Sequence, residues 1–150
     1  MFMRHGKAVS KEEAGGIDED RWLSSEGRKQ VEEVAKLLPQ KPSKIYTSPL
    51  RRAVETAEIV SKIHGGIEIV KTEILKPGAF ICRGLARFDP EPGSILIGHS
   101  PNIEEVVSCI VCGGRIKLAA GAVAVVEVRE LEYCKGVLVE IIHPRIAEKK

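Results

Sequence analysis

The chain's 150 residues are 43% hydrophobic and 29% charged, the size and balance of one ordinary soluble domain with a single core. Its formal net charge of +2, from 23 basic against 21 acidic side chains, gives no reason to expect a nucleic acid or membrane partner. No apolar run approaches the roughly 20 residues that span a bilayer, and no basic-then-apolar leader is visible, so a cytoplasmic location is expected.

At the amino end, Met1-Phe2-Met3 reads as a short strand that delivers Arg4-His5-Gly6. Ligands of open α/β sheets bind beyond the carboxyl ends of strands, so this tripeptide points to a site. A neutral imidazole is a nucleophile at neutral pH, and a neighbouring guanidinium can hold an anion against it. Gly6 is expected to let a ligand approach the backbone closely. A polar loop occupies residues 7–22. Ser24 or Ser25 then caps a helix to about Leu38, in which Val31, Val34, Ala35 and Leu38 follow the helical period. Pro39 and Pro42 end it.

Residues 44–47 form a second short strand. Ser48-Pro49 reads as a helix cap with proline at the first position, and the helix continues through Ala53, Val54, Ala57 and Val60 to Ile63. Residues 67–70 are a third strand, Pro77-Gly78 a turn, and residues 80–88 helical. Ser94-Ile95-Leu96-Ile97 carries the continuous apolar run of a strand covered on both faces, and it delivers Gly98-His99-Ser100-Pro101. A helix follows to about Val111. Residues 122–128 and 137–142 are two strands that pair antiparallel, and the charged tail of residues 145–150 is expected to fray. This order predicts an α/β fold of three layers, α/β/α, with a mainly parallel central sheet in a single domain over residues 1–150.

Cys82, Cys109, Cys112 and Cys134 are expected as reduced thiols. Cys109 and Cys112 form a C-x-x-C inside an apolar helical segment, with no second such pair to complete a tetrahedral metal site. They read as core cysteines of a buried helix.

Three segments share one layout, in which a strand ends, polar residues follow, and a loop or helix begins. They are Arg4-His5-Gly6, the run from Thr47 to Ala53, and Gly98-His99-Ser100-Pro101. A parallel sheet presents such ends along one edge, which brings two histidines and two arginines to one cleft beside helix N-termini. Free backbone N–H groups there favour an anion, and a tetrahedral oxyanion is the natural occupant.

With these residues in view, the chain resembles the histidine phosphatase superfamily, the phosphoglycerate mutase-like fold. The matching pieces are Met3-Arg4-His5-Gly6, Leu23-Ser24-Ser25-Glu26-Gly27, the run from Ser48 to Thr56, and Ile97-Gly98-His99-Ser100, in family order across most of the chain. The short length, Arg21-Trp22-Leu23-Ser24 and Leu75-Lys76-Pro77-Gly78 are most similar to the small SixA-type phosphohistidine phosphatases, which lack a cap domain. The resemblance implies that His5 is the nucleophile that becomes phosphorylated, that Arg4 and Arg52 bind the phosphoryl group, and that His99 stabilises its charge. It assigns the helix arginine to Arg52 and leaves Arg51 on the outer surface. It also implies that Arg21 contacts substrate and that an N–H of Ser100 assists. No metal or other cofactor is implied.

Larger relatives supply a carboxylate as general acid after the third strand. Here that segment offers only Glu73, which reads as a surface residue, and Asp89 or Glu91 would have to fold back over the site. The lack of an evident acid favours a phosphoramidate leaving group over an alkoxide. The expected activity is therefore metal-independent hydrolysis through a phosphohistidine on His5, with phosphohistidine on a partner protein as substrate. A phosphatase or mutase acting on a small phosphorylated metabolite is the first alternative, and a non-catalytic phosphate-binding module the second.

Overall fold

The computed structural model describes residues 1–79 and 82–145, apart from the side chains of residues 83, 85 and 86. Four short strands, β1 (Phe2–Arg4), β2 (Ile45–Thr47), β3 (Ile69–Lys71) and β4 (Ile95–Gly98), run parallel. They alternate with the helices α1 (Ser25–Lys36), α2 (Arg51–Ile63) and α3 (Asn102–Ile110). Strands β5 (Val123–Val128) and β6 (Gly136–Ile142) close one side as an antiparallel hairpin, with β5 also antiparallel to β1. The strand order is β3-β2-β4-β1-β5-β6.

Side-chain alternation along the strands divides the core in two. Met3, Ile45, Ile95, Ile97 and Val123 face α1 and α2, against Val31, Val34, Ala35, Ala53, Ala57 and Val60. Phe2, Leu96 and Ala124 face α3, against Ile103, Val106, Val107 and Ile110. Helices thus cover both faces of the parallel strands, which is why β4 is a continuous apolar run. The three-layer α/β/α architecture with a mainly parallel sheet is as expected. Among the described residues, no helix is long and apolar enough to cross a membrane.

Several boundaries differ from the sequence reading. Ser24 caps α1 by accepting the Gly27 N–H, as its position predicts, but α1 ends at Lys36. There the Leu37 N–H turns to the Val34 carbonyl in a tighter bond. The third strand lies two residues later than expected at its start, at Ile69. Helix α2 starts at Arg51 with Leu50 as its uncapped N-cap, so Ser48 and Pro49 stand before the helix. The Ser48 hydroxyl accepts the Leu50 N–H at 3.3 Å, in a turn before the helix, and meets His99 Nε2 at 2.8 Å, so it reaches no N–H of the first helical turn. The expected helix at residues 80–88 is a 3-10 helix over Cys82–Arg87; residues 80 and 81, like the tail 146–150, lie outside the described residues.

The cysteines correct the expectation of free thiols. Cys82 pairs with Cys109 and Cys112 with Cys134, with Cα–Cα separations of 6.0 and 4.1 Å. The C-x-x-C is neither a redox pair nor two core thiols. Helix α3 stops at Ile110, and Cys112 takes a left-handed φ of 68°, which turns it out to meet the β5–β6 loop. One end of α3 is consequently tied both to the Cys82–Arg87 turn and to the hairpin.

Candidate active site

Strand register sets the site. Arg4 pairs with Gly98 across β1 and β4, and Thr47 with Ile97 across β2 and β4. The residues that follow, His5, Ser48 and His99, leave the sheet along one edge. The His5 N–H donates to the Gly98 carbonyl at 3.0 Å and the Ser48 N–H to the Ile97 carbonyl at 3.1 Å, extending the ladder to the pocket. The His5 and His99 rings stand 5.0 Å apart, centroid to centroid, at 59°. Both are buried, as is Arg52.

Both ring nitrogens of His5 are fixed. Nδ1 lies 2.7 Å from the Gly6 carbonyl, which can only accept, so Nδ1 carries the proton. Nε2 therefore presents its lone pair, and Arg52 Nε–H donates to it at 3.2 Å. The loop that holds this tautomer is itself held, because the Gly6 N–H donates to Thr56 Oγ1 at 3.0 Å and the Thr56 hydroxyl donates to the Arg52 carbonyl at 2.8 Å. Gly6 also has a packing role. A Cβ there would lie 2.6 Å from Val31 Cγ2, so the glycine makes room for α1 and its carbonyl aims His5.

The other pair, Arg4 and His99, is less complete. Arg4 Nη1 donates to the Leu118 carbonyl at 2.9 Å, while Arg4 Nε and His99 Nδ1 are buried with no hydrogen-bond partner. Burial outside a hydrogen bond is costly for such groups, and sites that carry them are commonly built for a ligand. Burial is also the main reason that the histidines resist protonation. His5 is lowered to about 3 by desolvation, with His99, Arg52 and Arg4 adding to the effect against the Gly6 hydrogen bond. His99 is lowered to about 4 by desolvation and by Arg52 and Arg4, with Asp18 opposing them. Both rings are neutral near pH 7.

Asp18 escapes the sequence reading. It opens a 3-10 turn, Asp18–Asp20, in the long polar loop, and its Oδ2 takes Arg52 Nη2 at 3.1 Å while its carbonyl takes Arg52 Nη1 at 2.9 Å. Its Oδ1 takes Arg21 Nη1 at 3.2 Å. Desolvation acts to raise the Asp18 carboxyl, but the Arg21 hydrogen bond and the Arg52 charge outweigh it and hold the group ionised. The available signal was the spacing of Asp18 and Arg21, three apart on one turn. Arg21 is anchored by Nε to the Val9 carbonyl at 2.8 Å and reaches the pocket rim through Asp18.

The remaining sequence candidates fall as follows. The Ser100 hydroxyl turns to Glu104 Oε2 at 2.8 Å. Arg51 lies on the outer face of α2, over the Trp22 ring at 5.2 Å and bonded to Glu55 at 3.0 Å. The Glu73 carboxylate is 76% exposed and pairs with Lys76 at 2.6 Å. Glu91 pairs with Lys44 at 3.0 Å, before the start of β2 and so at the opposite edge of the sheet, and Asp89 is exposed. An open cleft of about 620 Å³ runs beside the start of α2, lined by Leu50, Arg51, Glu55, Glu73 and Lys76 among others but by none of Arg4, His5, Arg52 and His99.

Comparison with known proteins identifies relatives in sequence and in fold. The sequence profile of the histidine phosphatase superfamily (branch 1) matches residues 1–80. An uncharacterized protein of Picosynechococcus sp. is 34% identical over 121 residues, 75% of this chain and 72% of that one. The structure of the protein histidine phosphatase SixA complexed with tungstate superposes with a TM-score of 0.77 at 20% identity, covering 97% of this chain and 96% of that one. The phosphoserine phosphatase of Entamoeba histolytica in complex with 3-phosphoglyceric acid superposes with a TM-score of 0.64 at 19% identity, covering 93% of this chain and 94% of that one.

Proposed function

The chain belongs to the histidine phosphatase superfamily, and from that membership we propose that it is a phosphatase that works in two steps through a phosphohistidine on His5. One observation carries the reading: a neutral imidazole whose Nδ1 proton is tied to a carbonyl and whose Nε2 lone pair sits 3.2 Å from a guanidinium. In the first step the Arg52 Nε–H gives up Nε2 for a phosphoryl oxygen, Nε2 attacks phosphorus and the P–N bond forms. The leaving group departs with the electron pair of its broken bond, as a neutral imidazole when the substrate ring carries a proton on its other nitrogen. In the second, water attacks the phosphohistidine and returns His5 to its starting tautomer, with the Gly6 carbonyl keeping Nδ1 protonated throughout.

The charge that spreads over the phosphoryl oxygens is met by Arg52, by Arg4 through its unpartnered Nε, and by His99 through its unpartnered Nδ1. The Ser48 hydroxyl can donate or accept, so it supports His99 as a neutral N–H donor and as an imidazolium. An arriving dianion favours the imidazolium by opposing the desolvation and the arginine charges. The tungstate of the structural neighbour is a tetrahedral oxyanion of the kind this set of donors suits.

Phosphohistidine on a partner protein is the substrate the site supports best. Asp18, the carboxylate set against the pocket arginines, is held ionised and makes a poor acid. A leaving imidazole needs less help from an acid than an alkoxide does. A small phosphorylated acid is the second reading, supported by the likeness to the phosphoserine phosphatase. Turnover of phosphohistidine protein and phosphoramidate, set against phosphoserine and sugar phosphates, decides between them. Faster turnover of the phosphate esters would reject the first reading. No turnover of any of them by the wild type, with oxyanion binding intact, would leave a binding module.

A further inference from the structure

Glu104 is a buried carboxylate, 7% exposed, that the chemistry above does not use. It lies in the first turn of α3, where an acidic residue ordinarily complements the helix N-terminus from the surface. The exposed Glu105 beside it fits that ordinary role. Glu104 differs, because both of its oxygens are spent outside the helix. Oε2 accepts the Ser100 hydroxyl at 2.8 Å, and Oε1 accepts the Leu118 N–H at 2.7 Å. Ser100 directly follows His99. Leu118 is fully buried, and its carbonyl receives Arg4 Nη1 at 2.9 Å. One carboxylate thereby joins the segment that receives the Arg4 guanidinium to the segment that presents His99, and Arg4 and His99 are the groups with buried unpartnered nitrogens among the described residues.

We propose that Glu104 is a positioning residue for the phosphoryl group, setting Arg4 through Leu118 and the His99 segment through Ser100 so that their free donors converge on one oxyanion. The inference rests on the phosphatase reading. The side chain is suited to the task because it ends in two hydrogen-bonding atoms at fixed separation, one for each segment.

Tungstate binding to the full chain, followed by calorimetry, tests this together with the kinetics of p-nitrophenyl phosphate. Glu104→Ala is expected to weaken tungstate about tenfold and to lower kcat/KM by at least a like factor, because the donors it sets meet the phosphoryl oxygens both on binding and during transfer. Glu104→Gln is expected to bind within about twofold of wild type, since its oxygen accepts from Leu118 and its amide donates to the Ser100 hydroxyl. Glu104→Asp, one methylene shorter and able to reach one partner at a time, should fall between them and serves if the alanine variant does not fold. In an Arg4→Lys background, Glu104→Ala should cost tungstate affinity less than it does in the wild type. Wild-type affinity in Glu104→Ala or Glu104→Asp, or a glutamine variant as weak as the alanine one, would overturn the proposal. A wild type that binds tungstate and hydrolyses nothing would reject the phosphatase reading while the binding comparison still decides Glu104. No tungstate binding by wild type would end both.

Discussion

His5 and Arg52 satisfy one another, whereas Arg4 and His99, in the same pocket, each keep a buried nitrogen without a partner. The first pair is held by α1 and α2, through Thr56, Asp18 and the volume limit at Gly6. The second depends on α3, a nine-residue helix that is fastened by Glu104 at one end and by two disulfides at the other. The α1–α2 face is secured by close packing of small and branched apolar side chains. The α3 face combines a smaller helix with cross-links and a buried carboxylate. The contrast is a division of labour, with the attacking atom pre-set against Arg52 and the donors of Arg4 and His99 left unmet until an oxyanion enters.

Four measurements can break or sharpen that contrast. The largest effect is expected from the histidines themselves. His5→Ala should abolish turnover and the acid-labile phosphoenzyme seen on rapid quenching. His99→Ala should retain a phosphoenzyme with turnover reduced about 10²–10³-fold, the usual scale for one stabilising donor. If the two variants lose the same step, the division of labour is wrong.

Next in size is the removal of the disulfides. Loops of 27 and 22 residues imply roughly 3 kcal/mol of stabilisation from each cross-link. Denaturant titrations with and without reductant measure this, and hydrogen exchange should show α3 loosening before α1 and α2 do. Uniform loosening would mean that the two faces are not distinct.

Acid comes third. Because both rings are neutral in the fold, the unfolded chain takes up protons first as the pH falls. Their contribution is whole above the ordinary value of 6.5 and declines below it, until about 4 for His99 and about 3 for His5. The slope is about 1.4 kcal/mol per pH unit for each ring. The stability difference between wild type and His5→Asn should therefore change between pH 6.5 and 4, and a flat difference would show that burial does not hold the ring neutral.

The smallest effect is expected at Asp18. Asp18→Asn keeps an acceptor for Arg52 and removes the charge that competes with the substrate anion. Phosphate should bind up to about fivefold more tightly, in line with the modest worth of an exposed ion pair. Weaker binding would make Asp18 a support for Arg52 rather than a competitor.

The layered fold and the strand-end placement of Arg4, His5 and His99 are legible in the sequence because period and strand ends are local features, whereas the choice of Arg52 over Arg51 rests on the family resemblance. What is not legible depends on contacts between distant segments. Asp18 sits in a loop with no period, and its partner Arg52 belongs to a helix much later in the chain. The start of α2 could not be placed because Ser48 suits a cap equally well before its hydroxyl is known to serve His99. Cys109 and Cys112 read as core residues since nothing local says that α3 stops at Ile110. Glu104 looks like any acid at a helix start until Leu118 is brought against it.

Gly6 has a bearing on how this pocket could change over time. With Val31 Cγ2 only 2.6 Å from where a methyl group would sit, positions 6 and 31 share one fixed allotment of space. A bulkier residue after His5 becomes tolerable only in a lineage that trims Val31 and lets Leu23, 3.2 Å from the same point, give way. The two sites should therefore drift in concert, and a designer wishing to reshape the nucleophile's loop would begin inside α1.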